Sequence, residues 1–256
     1  AQYEIGCAYD LGRGVAKDEA QAVSWYQKAA EQGQVSAANN LGYAYEYGEG
    51  VPLDIAASIH WYEKAAALGS IIAWTNLAVI YEEGKDGTVQ TDKALACYQQ
   101  AAERRGGTAR YMGEIYEEGQ CGQEADAEKA QAWYTKAYAL LEEEASGGDE
   151  VSMRLLGLMC ELGQGREKDA AAARSWYEKA SASGDATASA NLAHLYEWGR
   201  FGEVDEVQAA RWYKKAAAQG NKKARFELGR MLAFGSDANI DEGRAWLQKA
   251  AMEDGS

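Results

Sequence analysis

The side chains through which this chain of 256 residues could do chemistry are two histidines, four cysteines and 40 acidic residues. The histidines, His60 and His194, stand far apart in the chain, so no shared catalytic or metal site is expected of them. His60 reads as a partly exposed helix residue. The cysteines, Cys7, Cys97, Cys121 and Cys160, show no CxxC spacing, and neither a metal site nor a disulfide framework is expected from them. No HExxH, P-loop GK[ST] or GxSxG sequence occurs. The GxG turns at Gly12-Arg13-Gly14, Gly48-Glu49-Gly50 and Gly163-Gln164-Gly165 share letters with phosphate loops. They recur, and they follow helix-like segments rather than strands, so they read as turns. Acidic pairs are too common in so acidic a chain to mark an acid/base couple. The expectation is a protein that is not an enzyme and holds no cofactor and no metal.

The net charge is −14. Residues 110–150 alone hold 11 acids and three bases. A polyanion needs a basic face, so nucleic acid and an anionic membrane surface are not expected partners. No apolar run approaches the roughly 18 residues that would span a bilayer, so no membrane insertion is expected. A protein or peptide partner fits this charge. The composition is 47% hydrophobic with a single proline, Pro52, which favours helix over sheet.

The elements that would position any site are written in a repeated phrase. WYEKAAALG begins at Trp61, and close copies begin at Trp25, Cys97, Trp133, Trp176, Trp212 and Trp246. The steps are 36, 36, 36, 43, 36 and 34 residues. A second phrase, such as LGYAYEYGEGV from Leu41, precedes each copy, and its last copy, LGRMLAFGSDA, begins at Leu228. A fixed period in this range is the signature of a solenoid, and each unit reads as two helices. In the first helix, Ala37, Leu41, Gly42 and Tyr45 share one face. Gly42 leaves room for a close neighbour, and Gly48-Glu49-Gly50 ends the helix. Asp54 is placed to cap the second helix, where Ala57, Trp61, Ala65 and Gly69 follow at four-residue steps. The Trp is expected to fill the space between helices. Cys97 and Cys160 replace a Trp and a Tyr of the pattern and read as buried apolar residues. The seventh copy has a turn about two residues short. The fourth has a seven-residue excess around 140–146, or about two turns. Its second helix is predicted to run on and project Glu142, Glu143 and Glu144 beyond the solenoid body.

Residues 37–69 carry the pattern A-x3-L-G-x2-Y-x2-G-x-G-V-x2-D-x3-A-x2-W-Y-x-K-A-A-x2-G almost throughout. The chain therefore resembles the Sel1-like repeat family, a relative of the tetratricopeptide repeat, over its full length. The resemblance implies an all-α, right-handed α-solenoid of about seven repeats and about 14 helices. It implies a single domain, 1–256, with repeats starting near 1, 37, 73, 108, 152, 188 and 224. It also implies a non-enzymatic protein–protein interaction scaffold. Some cysteine-rich relatives are associated with weak penicillin binding or hydrolysis, the alternative function, but this chain lacks their paired cysteines. A second alternative is homotypic assembly through the terminal repeats. The last repeat carries no added capping helix, and a segment trimmed from a longer protein is the preferred reading of that end.

By analogy with the tetratricopeptide fold, the first helices line a concave face, and four positions around the repeat Leu point into it. Five residues after the Leu stand Asp10, Glu46, Glu82, Glu117, Glu161 and Glu197, an acidic ladder. The next position adds Tyr47, Glu83, Glu118, Trp198 and Phe234; two after the Leu stand Tyr43, Glu114 and His194, and two before it Tyr3 and Phe226. This predicts aromatic ends around an acidic middle, suited to a partner with basic and apolar residues.

Overall fold

The computed structural model describes residues 1–235 and 239–253, and among them lie fourteen α-helices and no strand. They come in pairs: α1 (Gln2–Leu11) with α2 (Glu19–Glu31), α3 (Val35–Tyr47) with α4 (Ile55–Ala67), and α5 (Ile71–Glu83) with α6 (Thr91–Ala102). Next come α7 (Gly106–Glu118) with α8 (Ala127–Ser146), α9 (Glu150–Leu162) with α10 (Ala170–Ala182), and α11 (Ala186–Glu197) with α12 (Glu206–Ala218). The last pair is α13 (Lys222–Phe234) with α14 (Ile240–Glu253). The shortened seventh turn runs through residues 236–238, outside the described residues. The chain divides into two compact units, Ala1–Trp133 and Tyr134–Ser256, and the division falls within α8. In each unit a helix packs chiefly on its neighbours in sequence, the nearest-neighbour pattern of an all-α solenoid.

The hairpins close by one recurring device. In the first five pairs the first helix ends in a left-handed glycine cap, as at Gly48 with φ 73°, a conformation that glycine adopts without steric cost. The chain then folds back so that the N–H of Asp54 donates to the carbonyl of Tyr45 at 2.9 Å. The same bond joins Asp18 to Tyr9, Gln90 to Tyr81, Asp126 to Tyr116, Asp169 to Cys160 and Asp205 to Tyr196. The Asp54 carboxylate accepts the N–H of Ala57 at 3.0 Å and so caps α4. Such a cap contributes about 1 kcal/mol.

The core differs from the expectation in one respect. Tyr62, not Trp61, fills the space between the two helices of its pair. Tyr62 is fully buried, and a Cβ added to Gly42 would stand 2.5 Å from its ring. Tyr26 enters the notch at Gly6 and Tyr177 that at Gly157 in the same way, each 2.6 Å from such a Cβ. In the seventh repeat Leu247 replaces the ring at Gly229. The buried stripe of α4 is therefore Ser58, Tyr62, Ala65 and Ala66, one residue along from the expected one. Trp61 is half-buried, with the Lys64 ammonium 4.7 Å from its ring centroid. Trp25 with Lys28 and Trp176 with Lys179 repeat that cation–π pair. Cys97 and Cys160 are buried, and burial pushes the Cys97 thiol up to about 11. His60 is exposed, edge-on to Trp61.

The second helix of the fourth repeat does run on, to 20 residues where 13 is usual. It does not project into solvent. Leu141 and Ala145 are buried, and Glu144 accepts the Ser152 hydroxyl at 2.7 Å. Only Glu142 and Glu143 of the acidic cluster are exposed. The fifth repeat uses the added length. Gly50 of the second repeat sits over the backbone of Glu19 and Ala20, the first two residues of α2. Gly165 of the fifth sits over Tyr134 and Thr135 of α8, seven residues further along its helix.

Two substitutions test this packing with opposite signs. Gly157→Ala drives a methyl into the Tyr177 ring and is expected to destabilise by about 1–3 kcal/mol. The Ser58 hydroxyl is buried without a hydrogen-bond partner, so Ser58→Ala is expected to stabilise by about 1 kcal/mol. Thermal and urea unfolding read both; an unchanged midpoint for Gly157→Ala contradicts the notch.

Candidate functional site

The acidic ladder lies on the first helices, and its geometry is set by the buried tyrosines. In the first unit the Tyr26 hydroxyl donates to Asp10 at 3.0 Å, Tyr62 to Glu46 at 3.0 Å and Tyr98 to Glu82 at 2.6 Å. In the second, Tyr177 donates to Glu161 at 2.9 Å and Tyr213 to Glu197 at 2.6 Å. Each pair is separated by 16 residues. Glu46 is only 7% exposed and also accepts the Lys85 ammonium at 2.8 Å. Burial removes it from any surface that a partner could touch. Glu82 accepts three donors, adding the Tyr111 hydroxyl at 3.0 Å and the Cys121 thiol at 3.2 Å. Glu197 also receives Arg230. These carboxylates are braces within the fold.

What the first unit exposes lies beside the ladder. Tyr43 and Tyr47 are exposed, with ring centroids 4.5 Å apart, and Lys85 lies 5.5 Å from the Tyr47 centroid. Tyr3 is half-buried, 5.8 Å from Tyr26. Glu83, Glu117 and Glu118 are exposed, Glu83 pairing with Lys85 at 3.0 Å. Glu114 is half-buried and paired with Arg110 at 2.6 Å; burial outweighs the guanidinium and raises its carboxyl above the usual range. A cleft of about 380 Å³ is lined by Ile72, Val79, Tyr98, Arg105 and Tyr111, among others.

In the second unit, the residue six after the repeat Leu is exposed in each first helix: Leu162, Trp198 at 63% and Phe234 at 80%. Phe226 is exposed on α13. His194 is half-buried, its Nδ1 at 2.8 Å from the Tyr213 hydroxyl and its ring 5.4 Å from Trp198. Burial holds His194 below the ordinary imidazole value, against the pull of Glu197.

These groups are poorly set for acid/base or nucleophilic chemistry. The five tyrosines bound to the ladder are pushed up, first of all by burial, and remain phenols at neutral pH. Burial and Glu82 push the Cys121 thiol up to about 12, far from a thiolate nucleophile. No group of three or more His, Cys, Asp or Glu among the described residues could hold a metal ion.

The family model of the Sel1 repeat matches seven segments: residues 1–34, 35–70, 74–105, 109–140, 151–185, 186–221 and 222–254. The chain belongs to the Sel1 repeat family. Its fold is similar to that of a Sel1 repeat protein from Oxalobacter formigenes, with a TM-score of 0.72, 29% identity, and coverage of 98% of this chain and 99% of that one. It also matches a protective antigen present in uropathogenic Escherichia coli strains and displaying an SLR fold, at 30% identity and a TM-score of 0.49. That match covers 98% of this chain but only 61% of the antigen. An immunity protein from Pseudomonas aeruginosa matches over 85% of this chain and 80% of its own, at 19% identity and a TM-score of 0.50. None of the curated proteins matches this chain. Sel1 repeat proteins generally mediate protein–protein interaction, and the family is typically non-enzymatic. No helix among the described residues is long and apolar enough to cross a membrane.

In the sequence, only spacing marks the tyrosines that hold the ladder. Their signal was the constant 16-residue interval from Asp10 to Tyr26, Glu46 to Tyr62, Glu82 to Tyr98, Glu161 to Tyr177 and Glu197 to Tyr213. Lys85 and Arg230, the cations that reach Glu46 and Glu197, come from the following repeat.

The tyrosines give a pH prediction. Their folded pKa values are raised above the unfolded value of about 10. Above that pH the unfolded chain loses phenolic protons that the folded chain keeps, so stability falls as pH rises. Tyrosinate absorbance from these five residues is expected to appear together with loss of helical circular dichroism. Smooth ionisation with the helices intact contradicts the buried bonds.

Proposed function

We propose that this Sel1 repeat protein is a non-enzymatic scaffold that holds a partner protein or peptide on the concave face formed by its first helices. The observation that supports this most is the exposed rank six residues after the repeat Leu. It places Leu11 and Tyr47 in the first unit and Leu162, Trp198 and Phe234 in the second on the surface, beside a ladder bound into the fold. Large apolar side chains held on rigid helices lose little freedom on binding and make good anchors.

The partner contacts of the first unit are Tyr3, Tyr43 and Tyr47, with Glu83, Glu114, Glu117 and Glu118 as the charged flank. Those of the second are His194, Trp198, Phe226 and Phe234. Glu46, Glu82, Glu161 and Glu197 position these surfaces through their tyrosines rather than touching the partner. The first unit carries 20 acidic and 10 basic residues, so a basic, apolar segment suits it.

The test is fluorescence anisotropy with a labelled peptide alternating Lys and Leu. Binding is expected to weaken on raising salt. Glu83→Lys with Glu118→Lys should weaken it about tenfold, and Tyr47→Ala by a similar factor. Salt-independent binding that ignores these substitutions counts against the proposal.

A further inference from the structure

The second unit is less acidic than the first, with 20 acids against 16 bases, and four of those bases stand on one helix. Helix α13 carries Lys222, Lys223, Arg225 and Arg230 against the single acid Glu227. Lys223, Phe226, Arg230 and Phe234 follow at intervals of three or four, so they share one face, and all four are exposed. On the neighbouring α11, Trp198 caps the helix in the exposed rank, its ring tilted against His194. Arg230 joins the two helices directly by bonding Glu197 of α11 as well as Glu227 of its own helix at 2.8 Å.

The sign of this face is decided by depth. The carboxylates of Glu197 and Glu227 are 16% and 17% exposed and turned onto Arg230, whereas the Arg230 side chain is 44% exposed. Burial keeps His194 uncharged at neutral pH, so the charge shown to solvent comes from the lysines and Arg230. Arg230 is balanced by Glu197 and Glu227, and Lys222, Lys223 and Arg225 leave α13 cationic beside its aromatic rings, opposite in sign to the chain as a whole.

We propose that the α11–α13 face of the second unit binds an acidic peptide segment carrying apolar side chains. This rests on the scaffold reading only in taking a peptide as the ligand, and it reverses the partner's charge for this face. From Lys223 to Phe234 the stripe runs about 16 Å at 1.5 Å per residue. An extended chain covers that length in about five residues. Its apolar side chains contact Phe226, Phe234 and Trp198, and its carboxylates meet Lys223 and Arg230. Aromatic anchors supply the affinity and the complementary charge selects the partner.

The experiment compares three labelled probes by anisotropy at low salt. One is a short peptide alternating Glu and Phe, the second has Lys for each Glu, and the third is a single-stranded oligonucleotide. The acidic peptide is expected to bind, to weaken about tenfold with Lys223→Glu, and to weaken at least as much with Trp198→Ala. Both side chains are exposed, so circular dichroism should show the fold intact. No binding of the acidic peptide, or indifference to either substitution, overturns the proposal. So does oligonucleotide binding of equal strength, which would mark a general anion surface. Loss of the Lys/Leu peptide on Glu83→Lys and Glu118→Lys reports on the first unit alone, so the two proposals fail separately.

Discussion

The structure depends on a tyrosine lodged in a glycine notch, with its hydroxyl held by a carboxylate 16 residues earlier. At Gly6, Gly42 and Gly157 no side chain other than hydrogen fits beneath the ring, whereas the third and sixth repeats carry Ala78 and Ala193 at that position. The ring fills the space between the two helices of a pair, and the phenol reaches the far end of the first helix. There it needs an acceptor, since a buried hydroxyl left unpaired costs about 1–3 kcal/mol. Asp10, Glu46, Glu82, Glu161 and Glu197 supply it. A hydrogen bond to a charged partner contributes roughly 1.5–3 kcal/mol, more than a neutral one. The carboxylate in turn needs compensation for its own burial, which Lys85 gives Glu46 and Arg230 gives Glu197. Because these cations come from the next repeat, one bond closes the helix pair and the next joins pair to pair.

This economy explains how a strongly acidic chain supports interaction surfaces. Five of the six ladder acids, all but the exposed Glu117, are drawn into the frame, and the next position along each first helix is released to vary. It carries Leu11, Tyr47, Glu83, Glu118, Leu162, Trp198 and Phe234 on successive first helices. The frame stays constant while the exposed chemistry changes from aromatic and acidic in the first unit to aromatic and basic on α13. A Sel1 repeat array can thus present different surfaces without changing its packing.

Much of the fold was legible in the residues. The period set the helix pairs, glycines marked the left-handed caps, and Asp54 with its equivalents marked the N-termini of second helices. Three things were less legible, each for a physical reason. Trp61 and Tyr62 are adjacent and recur with the same period, so periodicity cannot say which ring points inward; the notch at Gly42 admits the tyrosine. Sequence shows the charge of Glu46 but not its depth, and only the paired interval to Tyr62 betrays it. The excess in α8 suggests a projection, yet seven residues fall about 20° short of two full turns and return nearly the same face. Leu141 thus occupies the face of Tyr134, and the extension packs. On the functional side, the net charge of −14 masked the bases gathered on α13.

The most direct test of the tyrosine–carboxylate brace is a double-mutant cycle on Tyr177 and Glu161, followed by urea unfolding of the whole chain. Tyr177→Phe and Glu161→Gln remove the hydroxyl and the charge with little change in volume. A coupling of about 1–2 kcal/mol between them is predicted, with the double variant less destabilised than the sum of the single ones. Strictly additive effects, or a Tyr177→Phe variant as stable as the parent, would contradict the account.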